Sequence, residues 1–313
     1  MLCAGAEPPR EPQFGDRTLA DVLGFALPQF GQAAHDDIAR FAVTAEQLGA
    51  ASLWVGDRLI AAVDPEVGYA GSDVVPVEFR TCLDPFVALS VAAAVTTTPR
   101  LGTSVLVGPW YPPALLARQL TSIDVVSGGR LGVGLGIGWS PEEYRAAGAP
   151  FEGRGAQLDE LLDALDTWWT ANPVLFNGAR WSVPAAWVDL KPRQRPHPPV
   201  YLGAGTYTAL QRIGRRADGW MPVVAVPGRI RADRLAVQRQ TIDDAAIAAG
   251  RDPAAISTVV RVNVAAPAQI ADVAAAIRLL AEGGYTDVFV DLMYVAGGVD
   301  DYVDWATKLL GET

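Results

Sequence analysis

The chain has 313 residues, with 25 Lys and Arg against 35 Asp and Glu, so its formal net charge at neutral pH is −10. This acidic balance disfavours a nucleic-acid partner, because phosphate binding needs a basic face. Half of the residues are apolar and 19% are charged, which excludes intrinsic disorder and indicates a chain that can build a large core.

The cysteine, histidine and hydropathy content narrows the class of protein further. Two cysteines, Cys3 and Cys82, exclude a disulfide framework, and with only His35 and His197 we predict no metal site. No run of about 18 apolar residues is present, which excludes a membrane-spanning helix. Residues 1–18 contain three prolines and no apolar run of signal-peptide length, so we expect a flexible N-terminal extension in a cytoplasmic protein.

Short apolar runs alternate with amphipathic segments along the rest of the chain, which is the pattern of βα units around a parallel sheet. The predicted strands are Val22–Leu27, Ser52–Val55, Leu101–Val105, Leu131–Ile137, Val200–Gly203, Gly219–Pro222, Ile256–Val264 and Asp287–Asp291. The predicted helices are Asp36–Leu48, Pro85–Thr96, Pro113–Val126, Gly155–Thr170, Thr206–Arg216, Arg229–Ala249, Ala268–Ala281 and Val299–Leu310. Eight such units favour an α/β fold of the (β/α)8 TIM barrel type, with residues 19–313 as a single domain.

Asp57 and Arg58 follow the second predicted strand, at the barrel end where catalytic groups collect. Two interpretations stay open for them. They form a structural ion pair with each other, or they lie beside a cofactor and position substrate or hold a proton.

Two stretches do not fit plain βα units and are interpreted as insertions. Residues 59–80, rich in Pro and Gly, are a candidate substrate lid, with a surface excursion as the alternative. Residues 172–199 are rich in Pro and are predicted to be irregular.

The run from Leu131 to Trp139 alternates bulky residues with glycines, so every glycine of a strand points to one face. We interpret this face, including Gly136 and Gly138, as bare backbone against which a flat ring lies. Close packing inside a crowded barrel is the alternative. The spacing is not that of the dinucleotide fingerprint, which disfavours a nicotinamide dehydrogenase of the Rossmann type.

The tetrapeptide Ser140-Pro141-Glu142-Glu143 has the pattern of a capping box, with Ser at the N-cap and Glu three residues later. Proline is favoured at the first helical position. We therefore predict a structural, non-catalytic role for Glu143.

A second glycine-rich segment, Gly203-Ala204-Gly205-Thr206, connects the fifth strand to a helix with Thr206 as its cap. Small residues let backbone N–H groups converge there on a phosphate, although an ordinary βα connection has the same composition. The arginines that follow are either ligands or a solvated charged face: Arg212, Arg215 and Arg216.

Several linked motifs, in order, resemble those of the luciferase-like monooxygenase superfamily, the flavin- and deazaflavin-dependent (β/α)8 barrels of the bacterial luciferase type. The resemblance runs from about Leu23 to the C-terminus and is greatest to the actinobacterial branch that uses coenzyme F-420, an 8-hydroxy-5-deazaflavin. The motifs are Leu101-Gly102-Thr103-Ser104-Val105, Asp124-Val125-Val126-Ser127-Gly128-Gly129-Arg130-Leu131, Gly134-Leu135-Gly136-Ile137-Gly138-Trp139, Leu202-Gly203-Ala204-Gly205 and Ala217-Asp218-Gly219-Trp220-Met221-Pro222.

The resemblance implies roles for individual residues. Ser104 and Val105 match the third-strand bulge, where a non-proline cis peptide backs the ring. Gly136 and Gly138 match the strand that passes near the ring. The cofactor phosphate is expected at the turn formed by Gly203, Ala204, Gly205 and Thr206.

The catalytic candidates are Asp57, which matches the family's second-strand aspartate, and Arg58, which departs from the family pattern. The position after the aspartate is commonly His in the dehydrogenases of the family. A guanidinium cannot accept a proton from an alcohol at neutral pH, so alcohol oxidation of the usual kind is disfavoured. The resemblance then implies a reductase that passes hydride from the reduced deazaflavin to an unsaturated or carbonyl substrate, with Arg58 as an electrostatic stabiliser.

Two other functions remain open from the sequence. One is a two-component monooxygenase that uses reduced FMN on the same barrel. The other is a barrel that binds flavin without catalysis. We expect a small-molecule substrate as the partner, and we expect the protein to bind neither nucleic acid nor a membrane. The sequence leaves open whether the protein forms a homodimer.

Overall fold

The computed structural model describes residues 22–311, and the extension predicted for residues 1–18 lies outside them. Its strands are β1 (Leu23–Ala26), β2 (Ser52–Val55), β3 (Arg100–Thr103), β4 (Leu106–Val107), β5 (Leu131–Gly136), β6 (Val174–Asn177), β7 (Ser182–Ala186), β8 (Val200–Leu202), β9 (Gly219–Trp220), β10 (Val223–Val226), β11 (Ser257–Thr258), β12 (Val260–Ala265) and β13 (Val288–Tyr294). Its α-helices are α1 (Ile38–Gln47), α2 (Pro85–Val95), α3 (Pro113–Val126), α4 (Pro141–Ala146), α5 (Arg154–Thr170), α6 (Tyr207–Arg216), α7 (Ala232–Ala248), α8 (Ile270–Glu282) and α9 (Val299–Gly311).

The main sheet is parallel and curls into a barrel. From β1 it runs through β2, β3, β5, β8 and β9 to β11 in one direction, and through β13 and β12 to β10 in the other. Because β9 and β10 are successive segments of one strand, as are β11 and β12, the two arms meet. The predicted (β/α)8 architecture is confirmed, and in the described residues each predicted strand coincides with one strand or with two consecutive segments.

Aromatic side chains fill the inside of the barrel. Trp54 stacks on Phe289 with ring centroids 5.1 Å apart and meets Tyr201 edge-on at 6.3 Å. Glycines on the neighbouring strands make room for these rings: a Cβ at Gly102 would lie 2.2 Å from Trp54, and one at Gly132 would lie 3.0 Å from Tyr201. Close packing, the alternative interpretation of the glycine-rich strand, is therefore correct for Gly132, near the start of β5.

The segment 172–199 is more ordered than predicted. Its β6 and β7 form an antiparallel hairpin, so the prediction of an irregular insertion was wrong for that part. The segment is anchored to α3 by the buried Asp124, whose carboxylate accepts hydrogen bonds from the backbone N–H groups of Arg193 at 2.6 Å and Gln194 at 3.0 Å. A local pattern of prolines could not reveal an anchor about 70 residues away in the chain.

Within residues 22–311, no helix has both the length and the apolar character needed to cross a membrane.

Candidate functional site

A cavity of about 650 Å3 lies at the carboxyl ends of the barrel strands, where active sites of this architecture are built. Its volume is in the range of small-molecule and cofactor sites. The cavity brings together nearly all of the residues predicted to form a site. Its lining includes Asp57, Arg58, Ser104, Val105, Gly136, Gly138, Gly203, Ala204 and Gly205, whereas Thr206 is outside the lining.

A larger cavity, of about 930 Å3, opens at the opposite end of the barrel. Its lining includes Arg100 and Asp287, which pair with each other at 2.7 Å. None of the predicted site residues lies there, and the amino ends of barrel strands contribute to stability and not to catalysis. We therefore place the candidate site in the smaller cavity.

The peptide bond between Ser104 and Val105 is cis, as the sequence resemblance implies. The Val105 side chain lies in a notch between two glycines. A Cβ at Gly136 would be 2.7 Å from Val105 Cγ2, and one at Gly203 would be 3.3 Å from Val105 Cγ1. The interpretation of Gly136 as bare backbone open to a ring therefore needs correction, because the glycine leaves room for Val105, and Val105 forms this part of the cavity wall.

The turn from Gly203 to Thr206 leads into α6. The Gly203 N–H is already donated to the Leu135 carbonyl at 3.0 Å. In residues 22–311, the N–H groups of Ala204, Gly205 and Thr206 have no protein acceptor, and Thr206 occupies the N-cap position without a side-chain capping bond. Three free N–H groups at a helix start are suited to an anion such as a phosphate.

The arginines of α6 do not face this turn. Arg212 donates to Asp159 of α5 at 2.7 Å, Arg216 pairs with Asp163, and Arg215 is exposed. Of the three, Arg215 fits the interpretation of a solvated charged face, whereas Arg212 and Arg216 are partly buried in ion pairs with α5.

Sequence reasoning missed a different set of arginines at the cavity rim. Three arginines line the cavity near the start of α7: Arg229 and Arg231 precede the helix, and Arg234 lies in its first turn. Arg231 pairs with Asp233 at 2.8 Å, whereas Arg229 and Arg234 form no salt bridge to an acidic residue of the described chain. The available signal was a cluster of three arginines at the start of the predicted helix Arg229–Ala249, which follows the predicted strand Gly219–Pro222.

Asp57 is buried at the end of β2, with 7% of its surface exposed. Its Oδ2 accepts hydrogen bonds from the Val107 N–H at 3.0 Å and the Tyr111 hydroxyl at 2.9 Å. Burial raises the pKa of Asp57 to about 6, although these two hydrogen bonds oppose the shift. A carboxyl group with such a pKa can donate or accept a proton near neutral pH.

Arg58 does not pair with Asp57, so the structural ion pair considered for these two residues is absent from the described structure. The Arg58 guanidinium lies 2.6 Å from Glu143 Oε2 and packs over the rings of Phe79 and Trp139, with its carbon 5.0 Å from each ring centre. The positive charge of Arg58 is therefore balanced, and its faces are covered by aromatic rings.

Glu143 departs from the predicted capping box. Ser140 Oγ accepts the Glu143 N–H at 3.2 Å, as a cap requires. The Glu143 carboxylate does not return to the Ser140 backbone but accepts from Arg58 and from the Leu59 N–H at 2.8 Å. A buried guanidinium within reach is a stronger partner than a backbone N–H at a helix end. The prediction of a reciprocal capping box was wrong, because the Glu143 carboxylate instead holds Arg58, which lines the cavity.

The segment 59–80 covers one side of the cavity with Tyr69 and Phe79. Two hydrogen bonds join this segment to α4 in addition to the pair between Arg58 and Glu143. The Glu66 N–H donates to Glu142 at 2.7 Å, and Arg145 donates to Glu66 at 2.6 Å. This placement is the one expected for a lid.

Another buried ion pair, also missed from the sequence, lies in the cavity on β12 and β13. Arg261 pairs with Asp291 at 2.5 Å and donates to the Ser104 carbonyl at 2.9 Å. Arg261 thus holds the carbonyl of the cis peptide.

Curated relatives match part of this chain and part of their own length. An uncharacterised protein of Mycobacterium tuberculosis is 36% identical over 175 residues, 56% of this chain and 60% of that protein. An F-420-dependent glucose-6-phosphate dehydrogenase of Amycolatopsis mediterranei is 30% identical over 193 residues, 59% of this chain and 52% of that protein. An FMNH2-dependent dimethylsulfone monooxygenase of Pseudomonas putida is 35% identical over 130 residues, 41% of this chain and 35% of that protein. The chain therefore spans 60% or less of the length of these relatives.

Solved structures share the fold over nearly the whole chain. A monooxygenase from Streptomyces bottropensis superimposes with a TM-score of 0.72 at 18% identity, covering 93% of this chain and 98% of that one. An F-420-dependent secondary alcohol dehydrogenase gives a TM-score of 0.71 at 16% identity, covering 92% and 99%. Relatives thus include users of F-420 and of FMN. The family model for luciferase-like monooxygenases matches residues 21–296, and the chain belongs to that family of oxidoreductases.

Proposed function

We propose that the protein transfers a hydride between coenzyme F-420 and a small organic molecule, both bound in the cavity at the carboxyl ends of the strands. The observation that carries the proposal is the convergence, in one cavity, of a buried acid, the Val105 side chain seated between two glycines, and a helix-start turn with free N–H groups. A cytoplasmic location belongs to the same proposal.

The residues present fit a tricyclic cofactor with a ribityl phosphate. The N–H groups of Ala204, Gly205 and Thr206 would hold the phosphate, and Val105 with Gly138 would flank the ring. When bound, a reduced deazaflavin supplies a hydride; the protein supplies position and electrostatics.

The rim arginines favour F-420 over FMN. FMN ends in one phosphate, whereas F-420 continues from its phosphate into a tail of carboxylates. In a chain of net charge −10, a local cluster formed by Arg229, Arg231 and Arg234 beside the phosphate turn is suited to the more anionic molecule.

Asp57 is the group that we assign to proton transfer. Reduction of a substrate by hydride requires one proton as well, and the raised pKa of Asp57 keeps a protonated fraction available near neutral pH. Arg58, which the resemblance suggested as an electrostatic stabiliser, is assigned to positioning, because together with Leu59 it joins Glu143 of α4 to the start of the segment 59–80.

The experiment that tests this function compares the two cofactors directly. We expect F-420 to quench the intrinsic tryptophan fluorescence of the purified protein at a lower concentration than FMN. Tighter FMN binding, together with oxygenation of a substrate by reduced FMN that occurs only when the protein is present, would instead assign the monooxygenase function found among the relatives. Binding of either cofactor without turnover of any acceptor would leave a non-catalytic flavin-binding barrel.

A further inference from the structure

We propose that Arg261 binds the carbonyl oxygen of the hydride acceptor, so that the substrate class is a ketone or aldehyde, including conjugated enones. The inference rests on the proposed function and adds the group by which the substrate is recognised.

Arg261 is held rigidly in the cavity by three acceptors. Its Nη2 donates to Asp291 at 2.5 Å, its Nη1 to the Ser104 carbonyl at 2.9 Å and its Nε to Asn263 at 2.8 Å. Asp291 is itself fixed, because its other oxygen accepts the Met293 N–H at 3.0 Å. The guanidinium is therefore preorganised and does not need a ligand to order it.

Hydrogen-bonding capacity remains on this side chain. A guanidinium has five N–H groups, and those of Arg261 donate three hydrogen bonds within the described chain, which leaves one N–H on each terminal nitrogen. Arg261 lines the cavity with 13% of its side chain exposed. These N–H groups are available to a molecule bound there.

The charge balance indicates a neutral acceptor. Asp291 neutralises Arg261, so an anionic ligand would add an uncompensated buried charge, which is costly. A carbonyl oxygen is neutral when it binds and gains negative charge as hydride arrives at its carbon. An N–H group aimed at that oxygen then binds the transition state more strongly than the ground state. Arg58 has a different role, because its pair with Glu143 holds α4 against the start of the segment 59–80.

Arg261 and Asp57 act on the two ends of one short segment. Arg261 holds the carbonyl of Ser104, and Asp57 holds the N–H of Val107. The proposed hydrogen-bond donor and the proposed acid therefore flank the same wall of the cavity. Such a pair is what carbonyl reduction requires, one group for the developing negative charge and one for the proton.

With a reduced deazaflavin bound, the cofactor would supply a hydride with its electron pair to the carbonyl carbon, forming a C–H bond there, and would itself be oxidised by two electrons. The π electrons of the C=O bond move to the oxygen beside Arg261. The proton of the Asp57 carboxyl group passes to that oxygen, giving an alcohol and leaving Asp57 as a carboxylate.

The test uses cyclohex-2-en-1-one as the probe and difference infrared spectroscopy as the readout, on protein without cofactor. We expect the C=O stretch of the bound probe to shift to lower frequency in the wild type. In Arg261→Met we expect that shift to disappear and the affinity for the probe to fall about tenfold to a hundredfold, as for loss of a charge-assisted hydrogen bond. Arg261→Lys retains a cation with fewer hydrogen-bond donors and should give an intermediate shift of the C=O stretch. This variant replaces Arg261→Met in the test if the Met variant does not fold.

The matched control is Arg251→Met. Arg251 is another arginine fixed by carbonyls, donating to Gly214 at 2.8 Å and Ala217 at 2.7 Å, and it does not line the cavity. Its replacement should lower stability and leave the carbonyl shift intact. An unshifted C=O band in the wild type, or a shift retained in both Arg261 variants, would overturn the inference. Failure of the wild type to bind F-420 is a separate result that overturns the proposed function.

Discussion

Glu143 and Arg58 form a buried ion pair, with Oε2 and Nη1 2.6 Å apart, that joins α4 to the start of the segment 59–80. The same carboxylate also accepts the Leu59 N–H at 2.8 Å. Arg58 therefore has a structural role in the cavity wall, and Asp57 is the residue that we propose for proton transfer.

Replacement of Glu143 by Gln should destabilise the protein. Breaking one partner of a buried pair leaves an uncompensated charge and typically costs about 3 to 5 kcal/mol. Thermal unfolding measures the effect. Glu66→Gln is the matched control, because its pair with Arg145 is more than half exposed on both sides and such pairs contribute at most about 1 kcal/mol. Equal melting temperatures for the two variants would contradict the assignment of Glu143 to the wall.

Gly136→Val should lower cofactor affinity while the protein still folds. The new side chain would meet Val105 Cγ2, which is 2.7 Å from the position of a Cβ at Gly136, and would push Val105 into the cavity. Overpacking of this kind costs about 1 to 3 kcal/mol, which a domain of this size tolerates. Fluorescence titration with F-420 and FMN measures the change, expected to be tenfold or more.

The control for that variant is Gly155→Ala on α5, where the nearest atom to a new Cβ is the end of the flexible Arg212 side chain at 3.3 Å. It should bind cofactor as the wild type does. Normal binding by Gly136→Val would show that the ring lies away from Val105.

The sequence predicts those features of the fold and the site that depend on residues close together in the chain. Asp57, Ser104 and Gly203 could be assigned to one site because each stands at the end of a predicted strand, and parallel strands of a barrel end on the same face. The strands themselves could be predicted because the pattern of apolar residues that identifies a strand involves only residues that are neighbours in the chain.

The parts that were missed depend on distant partners. Arg58 and Glu143 are 85 residues apart, and Arg261 lies 157 residues from the Ser104 carbonyl that it contacts. The capping pattern of Ser140 to Glu143 was correct for the backbone, as the Ser140 bond shows, but a tertiary partner took the carboxylate. No local pattern contains that competition.

Asp57 predicts a pH dependence of stability. Its pKa in the folded protein is raised to about 6, above the value of an unfolded aspartate, so between about pH 4 and pH 6 the folded state binds more protons than the unfolded state. The free energy of unfolding should therefore fall as pH rises through this window, by up to about 3 kcal/mol from this group. Asp57→Asn removes the titration, so its stability relative to wild type should increase from pH 4 to pH 6 and then level off.

The same group predicts the pH profile of turnover. If Asp57 delivers the proton, kcat/KM for reduction should decline above about pH 6, and Asp57→Asn should abolish that dependence along with most of the activity. A rate that stays flat from pH 5 to pH 8 in the wild type would remove Asp57 from the proton-transfer role.

The rim arginines predict a difference between cofactors. The double variant Arg229→Ser, Arg234→Ser should weaken F-420 binding about tenfold at low salt and change FMN binding little, because only F-420 has a tail of carboxylates. The effect should shrink as salt is raised, since both arginines are exposed. Arg215→Ser, an exposed arginine of α6 away from the cavity, is the matched control. Equal losses for both cofactors would instead place the arginines at the shared phosphate.

Anaerobic hydride transfer is the sharpest test of carbonyl reduction by this protein. Reduced F-420 is mixed with the protein and cyclohex-2-en-1-one in the absence of oxygen, and the absorbance of the oxidised cofactor is followed. We predict that oxidised F-420 appears only when protein and ketone are both present, at a rate that Asp57→Asn and Arg261→Met each lower at least tenfold. No oxidation of reduced F-420 by any carbonyl compound, together with protein-dependent oxygenation of a substrate by reduced FMN, would contradict carbonyl reduction as the function.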